Sequence, residues 1–163
     1  MKALSLSIIG ATGLVAAAFV TSILAGSVGG VGAAVAAGNS NAAKVATARS
    51  GLGRIIVDGR GRTLYLFEKE KRGRSMCSGA CAGEWPPLIT HGRPIATGGA
   101  KQSLLGMIRR ADGRKQVTYS GHAVYGFIGD LRRGQTNGEG SHDFGAGWDA
   151  LSPAGKKIER SGD

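Results

Sequence analysis

The stretch "GRTLYLFEKE", Gly61 to Glu70, returns as "GHAVYGFIGD", Gly121 to Asp130. Glycine falls on glycine, Tyr65 on Tyr125, Phe67 on Phe127 and Glu70 on Asp130. The same shift of the chain places Arg49, Gly53, Arg54 and Val57 on Arg109, Gly113, Arg114 and Val117. Downstream, Trp85 in "EWPPL" matches Trp148 in "GWDAL" once three residues are inserted. The chain therefore carries an internal duplication, and its matched positions hold most of the aromatic residues that follow the first 40.

The pattern inside each copy is that of strands. "RIIVDGRGRTLYLF" reads as two β-branched or aromatic runs joined by an Asp/Gly-rich turn, and "KQVTYSGHAVYGF" as the same hairpin bent at "SG". Asp112-Gly113 marks a further hairpin turn, which makes a three-strand meander. Helical periodicity is not seen after the first 40 residues. Side chains alternate along a strand, so Tyr65 and Phe67 share one face, as do Tyr125 and Phe127. A single short meander buries too little by itself, and a second copy supplies the covering layer. The expectation is a mainly β fold, two pseudo-symmetric β-meander repeats (about 44–88 and 104–151) packed into one small domain at 44–158. A linker at 38–43 precedes it and a tail at 159–163 follows. Core packing is the expected role of the aromatics; a platform for stacking sugars, bases or a planar cofactor is the alternative.

Residues 1–37 contain one charge, Lys2, ahead of a long run of apolar and small side chains ending in "AAVAAGN". This is the pattern of a signal peptide, with Val35 and Ala37 as the small residues of a cleavage site near Ala37. The run is also long enough to be retained as a membrane anchor. It has no cysteine to carry a lipid. The chain is expected to be secreted or periplasmic. The formal charge is +10 and the basic residues are spread in pairs along the chain, including Arg109-Arg110, Arg132-Arg133 and Lys156-Lys157. Such a surface is expected to attract an anionic envelope polymer or a membrane surface, in a salt-sensitive way. Export argues against nucleic acid as a partner.

With "YLFEKE", "YGFIGD", "CSGACAGEWPPL" and the glycine-rich "GQTNGEGSHDFGAGW", the stretch from about Arg54 to Gly155 resembles a family of secreted repeat proteins. These are described as predicted lipoproteins with a Yx(F/W/Y)xxD motif. The resemblance implies a bacterial, extracytoplasmic, mainly β protein of unknown biochemical function. It assigns the motif to Tyr65, Phe67 and Glu70 in one copy and to Tyr125, Phe127 and Asp130 in the other. The chain departs from the family in having Glu70 where the motif has Asp, and in lacking an N-terminal cysteine for acylation.

Cys77 and Cys81 are the only cysteines. In an exported protein they are expected to form a disulfide closing a tight loop. The alternative is a copper site that joins them to Met76 and to His91, His122 or His142. The C-x-x-x-C spacing does not suit c-type haem. Asn137, Glu139, Ser141 and Asp143 alternate as calcium ligands do, but His142 stands where a calcium loop needs glycine, so a turn-building role is expected. Glu70 and Asp130 are expected to cap turn amides or to pair with arginine. No nucleophile motif accompanies His142-Asp143. The functional expectation is a noncatalytic exported binding or structural module without cofactor. A periplasmic copper or redox accessory protein is the first alternative and an uncharacterised hydrolase the second.

Overall fold

Each copy opens with a hairpin whose turn residues are visible in the sequence. The protein, seen here as a computed structural model, is described for residues 41–71 and 73–159; the expected signal segment, residues 38–40 of the linker and 160–163 of the tail lie outside these. The strands are β1 (Lys44–Ser50), β2 (Gly53–Asp58), β3 (Tyr65–Phe67), β4 (Ile95–Ala96), β5 (Leu105–Arg109), β6 (Lys115–Tyr119), β7 (His122–Ala123) and β8 (Trp148–Ala150).

In the first copy, β1 pairs antiparallel with β2 from Val45↔Asp58 to Ser50↔Gly53, and β4 joins β1 in parallel. In the second copy, β5 pairs with β6 from Leu105↔Tyr119 to Arg109↔Lys115, and β6 with β7. The Asp112-Gly113 turn is closed by the Arg110 amide donating to Arg114 O at 2.9 Å. At the "SG" bend both Ser120 (φ 53°) and Gly121 (φ 84°) are left-handed, the conformation that two-residue hairpin turns require. In the first copy the Asp58 carboxylate organises the turn, accepting from the amides of Arg60 (2.8 Å) and Arg62 (2.9 Å).

The second copy forms the expected three-strand meander, the first keeps its β1–β2 hairpin with a single Val57↔Thr63 bridge to the run that follows, and the copies are also joined by hydrogen bonds. After Leu64 donates to Ile56 O, the first copy's motif strand leaves its own hairpin. It then pairs with β8 of the other copy, Tyr65↔Ala150 to Phe67↔Trp148. Tyr65 and Tyr125 exchange backbone hydrogen bonds with each other, at 2.8 and 3.0 Å. The segment after each tryptophan behaves alike: Val117 donates to Leu88 O in one direction, and Ile56 donates to Leu151 O in the other.

This exchange buries both faces of the central strands, so two cores form instead of one. Ile55, Val57, Tyr65 and Phe67 face an aromatic core completed by Trp85, Tyr125 and Trp148. Their neighbours Ile56, Leu64 and Leu66 face an aliphatic core with Val45, Val117, Tyr119 and Leu151. The mainly β reading holds, and within it Ala80–Glu84 forms a short helix, α1, that the sequence reading did not place. It is a little over one turn long, too short for any apolar period to reveal it. It ends where the Trp85 amide donates to Cys81 O at 2.8 Å.

Candidate functional site

The motif residues meet at the pseudo-twofold junction, each contacting the opposite copy. Tyr65 Oη donates to Asp130 Oδ2 at 2.6 Å, and Tyr125 Oη donates to Glu70 Oε1. Each acid also does the capping expected of it. Asp130 accepts from the Asn137 amide at 2.9 Å and Glu70 from the Met76 amide at 3.1 Å. Tyrosine and acid of one motif thus lie in different pairs.

The stacked rings repeat this crossing, while each tyrosine meets the tryptophan of its own copy. Phe127, Trp85, Trp148 and Phe67 stack in that order, with centroids 4.4, 4.0 and 4.1 Å apart. Tyr65 meets Trp85 edge-on at 5.4 Å and Tyr125 meets Trp148 edge-on at 5.3 Å. Offset and edge-to-face pairs contribute about 0.5–1.5 kcal/mol each beyond the area they bury. The two tryptophans and two tyrosines have no exposed surface. These rings therefore form the core and do not present a stacking platform.

Burial sets the electrostatics. It raises the Tyr65 hydroxyl well above the phenol range, helped by Asp130, and it raises Tyr125 to about 12, helped by Glu70. It also pushes the Glu70 and Asp130 carboxyls up, against the hydrogen bonds from the tyrosines.

Cys77 and Cys81 are bonded, with Cα atoms 5.3 Å apart, and both are buried against the aromatic core. Beside them lies Arg110, 6% exposed, which the sequence shows only as half of a basic pair. Its guanidinium donates at 2.6 Å to Cys77 O, to Ser75 Oγ and to Gln116 Oε1. Ser75 Oγ is in turn 2.7 Å from Tyr125 Oη. A cavity of about 450 Å³ opens here between the disulfide loop and Arg110, Asp112 and Arg114. Arg114 holds the Asp112 carboxyl down to about 2. Replacing both cysteines with alanine removes the crosslink without burying a hydroxyl. For so short a loop the expected loss is about 2 kcal/mol. Denaturation midpoints of the oxidised parent and the double variant check this, and alkylation of the denatured parent should find no thiol.

The candidate copper ligands are not gathered. His91 lines one cavity with Thr90 and Arg114, His122 a second with Glu70 and Lys157, and His142 a third. Cys77 lines a fourth, and Met76, next to it in the chain, is exposed. Among the described residues no three His, Cys, Asp or Glu side chains are arranged to hold a metal ion. The alternating loop builds turns: Asn137 Nδ2 donates to Gly129 O at 2.9 Å, Glu139 accepts from the Ala150 amide at 2.7 Å, and Ser141 bonds Asp143. The cavity at His142, about 290 Å³, is also lined by Glu68, Glu139, Asp149 and Lys157. Lys157 bridges Glu68 at 2.8 Å and Asp149 at 3.9 Å.

A basic face surrounds the Asp58–Arg62 turn. A β-carbon on Gly59 would stand 3.2 Å from Lys44 Cβ, and one on Gly61 would stand 3.0 Å from Arg133 Cγ. Lys44 and Arg133 thus flank the exposed Arg60, and Arg132 immediately precedes Arg133 on the same loop. The Gly134 amide fixes this approach by donating to Gly61 O at 3.1 Å.

A family model described as a secreted repeat of unknown function matches the chain twice, at residues 46–89 and 106–152, together more than half its length. Neither the search of curated proteins nor that of solved structures finds a match.

Proposed function

The chain belongs to this family of secreted repeats, and on that premise we propose that it is an exported, noncatalytic module that adsorbs to anionic envelope surfaces through its basic face. The observation that carries the reading is an asymmetry of burial. Asp58, Asp130, Glu139 and Asp149 are buried, whereas Arg110 is the one buried cation among the described residues. A chain of formal charge +10 therefore turns a surface toward solvent that is more basic than its composition. The motif carboxylates support the noncatalytic part, since both are engaged by tyrosine hydroxyls inside the fold. Among the described residues no helix is long and apolar enough to cross a membrane.

The test is binding of the exported protein to phosphatidylglycerol vesicles and to poly(glycerol phosphate) across a salt series. Binding should weaken steeply as the screening length shrinks from about 10 Å at 0.1 M to about 3 Å at 1 M. Salt-independent binding, or none at low salt, would overturn the proposal.

A further inference from the structure

The duplication supplies its own control for one surface feature. The turn after Phe67 reads Glu68-Lys69-Glu70-Lys71, and the turn after Phe127 reads Ile128-Gly129-Asp130-Leu131. The two are built alike: the Glu70 amide donates to Phe67 O at 3.0 Å and the Asp130 amide to Phe127 O at 3.1 Å. In the first copy charged residues satisfy this turn, with Glu68, Lys69 and Lys71 exposed. In the second, Ile128 is 57% exposed and Leu131 84% exposed. The fold does not require apolar side chains at these places, so their presence in one copy calls for a reason outside it.

The apolar turn is held rigidly. Asp130 is tied to Tyr65 and to the Asn137 amide, Ile128 donates to Glu84 O at 3.1 Å, and the Arg132 amide donates to Gln135 Oε1 at 2.7 Å. Leu131 is thus presented at small further entropic cost, and it is followed directly by Arg132 and Arg133. Through Gly61 the row of cations continues to Arg60 and Lys44. Two exposed aliphatic side chains on one turn that leads directly into a cluster of cations match the layered chemistry of an anionic bilayer, phosphates outside and hydrocarbon beneath. A soluble polyanion would use the cations alone.

We infer that the Ile128–Arg133 turn is a membrane-contact tip: Leu131 and Ile128 enter the headgroup region of an anionic bilayer while Arg132, Arg133, Arg60 and Lys44 bind its phosphates. This rests on the charge-driven adsorption proposed above and assigns it to lipid.

The experiment compares the exported protein with its Leu131→Ser and Arg132→Gln/Arg133→Gln variants by co-sedimentation with vesicles. Vesicles of phosphatidylglycerol and phosphatidylcholine are set against phosphatidylcholine alone, and poly(glycerol phosphate) is the soluble control. Leu131→Ser should weaken binding to the anionic vesicles about tenfold or more and leave polymer binding unchanged. The arginine pair should lose about fivefold per residue on vesicles. In a Leu131→Trp variant, vesicles should shift emission to the blue, and brominated lipid should quench it. If Leu131→Ser binds vesicles as the parent does while the arginine variant is weakened, the tip is wrong and charge-driven adsorption stands. If the parent binds neither vesicle nor polymer at low salt, both readings fall. A concentration-dependent dimer lost in Leu131→Ser, with vesicle binding unaffected, would give the tip to a second copy of the chain and also overturn the inference.

Discussion

Tyr65→Ala and Tyr125→Ala should each cost about 3 to 5 kcal/mol, the range for removing a large side chain from a packed core. Each ring is fully buried, meets a tryptophan edge-on and donates to an acid of the other copy. Tyr65→Ala also leaves Asp130, 3% exposed, without its hydroxyl donor. Against a typical domain stability of about 5–15 kcal/mol, either loss is a large fraction of the whole. Urea midpoints should fall with little change in slope. Tyr65→Phe isolates the hydroxyl, and a cycle with Asp130→Asn should show coupling on the order of 1 kcal/mol or more across the two copies. Near-zero loss at both alanine positions would mean that the rings are not core residues.

Stability should also fall steeply above pH 10. The tyrosine hydroxyls ionise near 10.0 when unperturbed, whereas burial and the neighbouring acids hold both higher in the folded chain, Tyr125 at about 12 and Tyr65 further up. Above pH 10 the folded state thus keeps protons that the unfolded state has lost. Their contribution is fully present below pH 10 and is lost as pH rises through the folded values, at about 1.4 kcal/mol per pH unit for each tyrosine. Denaturation midpoints measured from pH 8 to pH 12 should show this decline. Tyr65→Phe or Tyr125→Phe should remove about half of the tyrosine slope. A slope unchanged in both variants would assign the alkaline loss to other groups.

Much of this architecture is legible because it rests on short-range information. Asp112-Gly113 and Ser120-Gly121 announce their hairpins through turn preferences, and the alternation of Tyr65 and Phe67 announces a shared face. Two cysteines four residues apart announce their bond. Other features depend on partners that local pattern does not name. Arg109 and Arg110 are neighbours of the same type, yet Arg109 is exposed and Arg110 is buried on Cys77 O, Ser75 and Gln116. Strand alternation separates their faces but does not say which face another segment will cover.

The sequence by itself determined that this is a duplicated, mainly β chain with a paired aromatic motif, because repeat spacing, turn residues and two-residue periodicity are properties of the linear order. Only the tertiary structure decided how the two motifs share their residues. A tyrosine and an acid recur in both copies, so pairing within a copy and pairing between copies are equally compatible with the sequence. The backbone exchange between Tyr65 and Tyr125 resolves the degeneracy by carrying each hydroxyl across the pseudo-twofold junction to the other copy's carboxylate. The same folding left Leu131 84% exposed while its neighbour Asp130 was drawn in, because the turn engages the acid with the Tyr65 hydroxyl and the Asn137 amide.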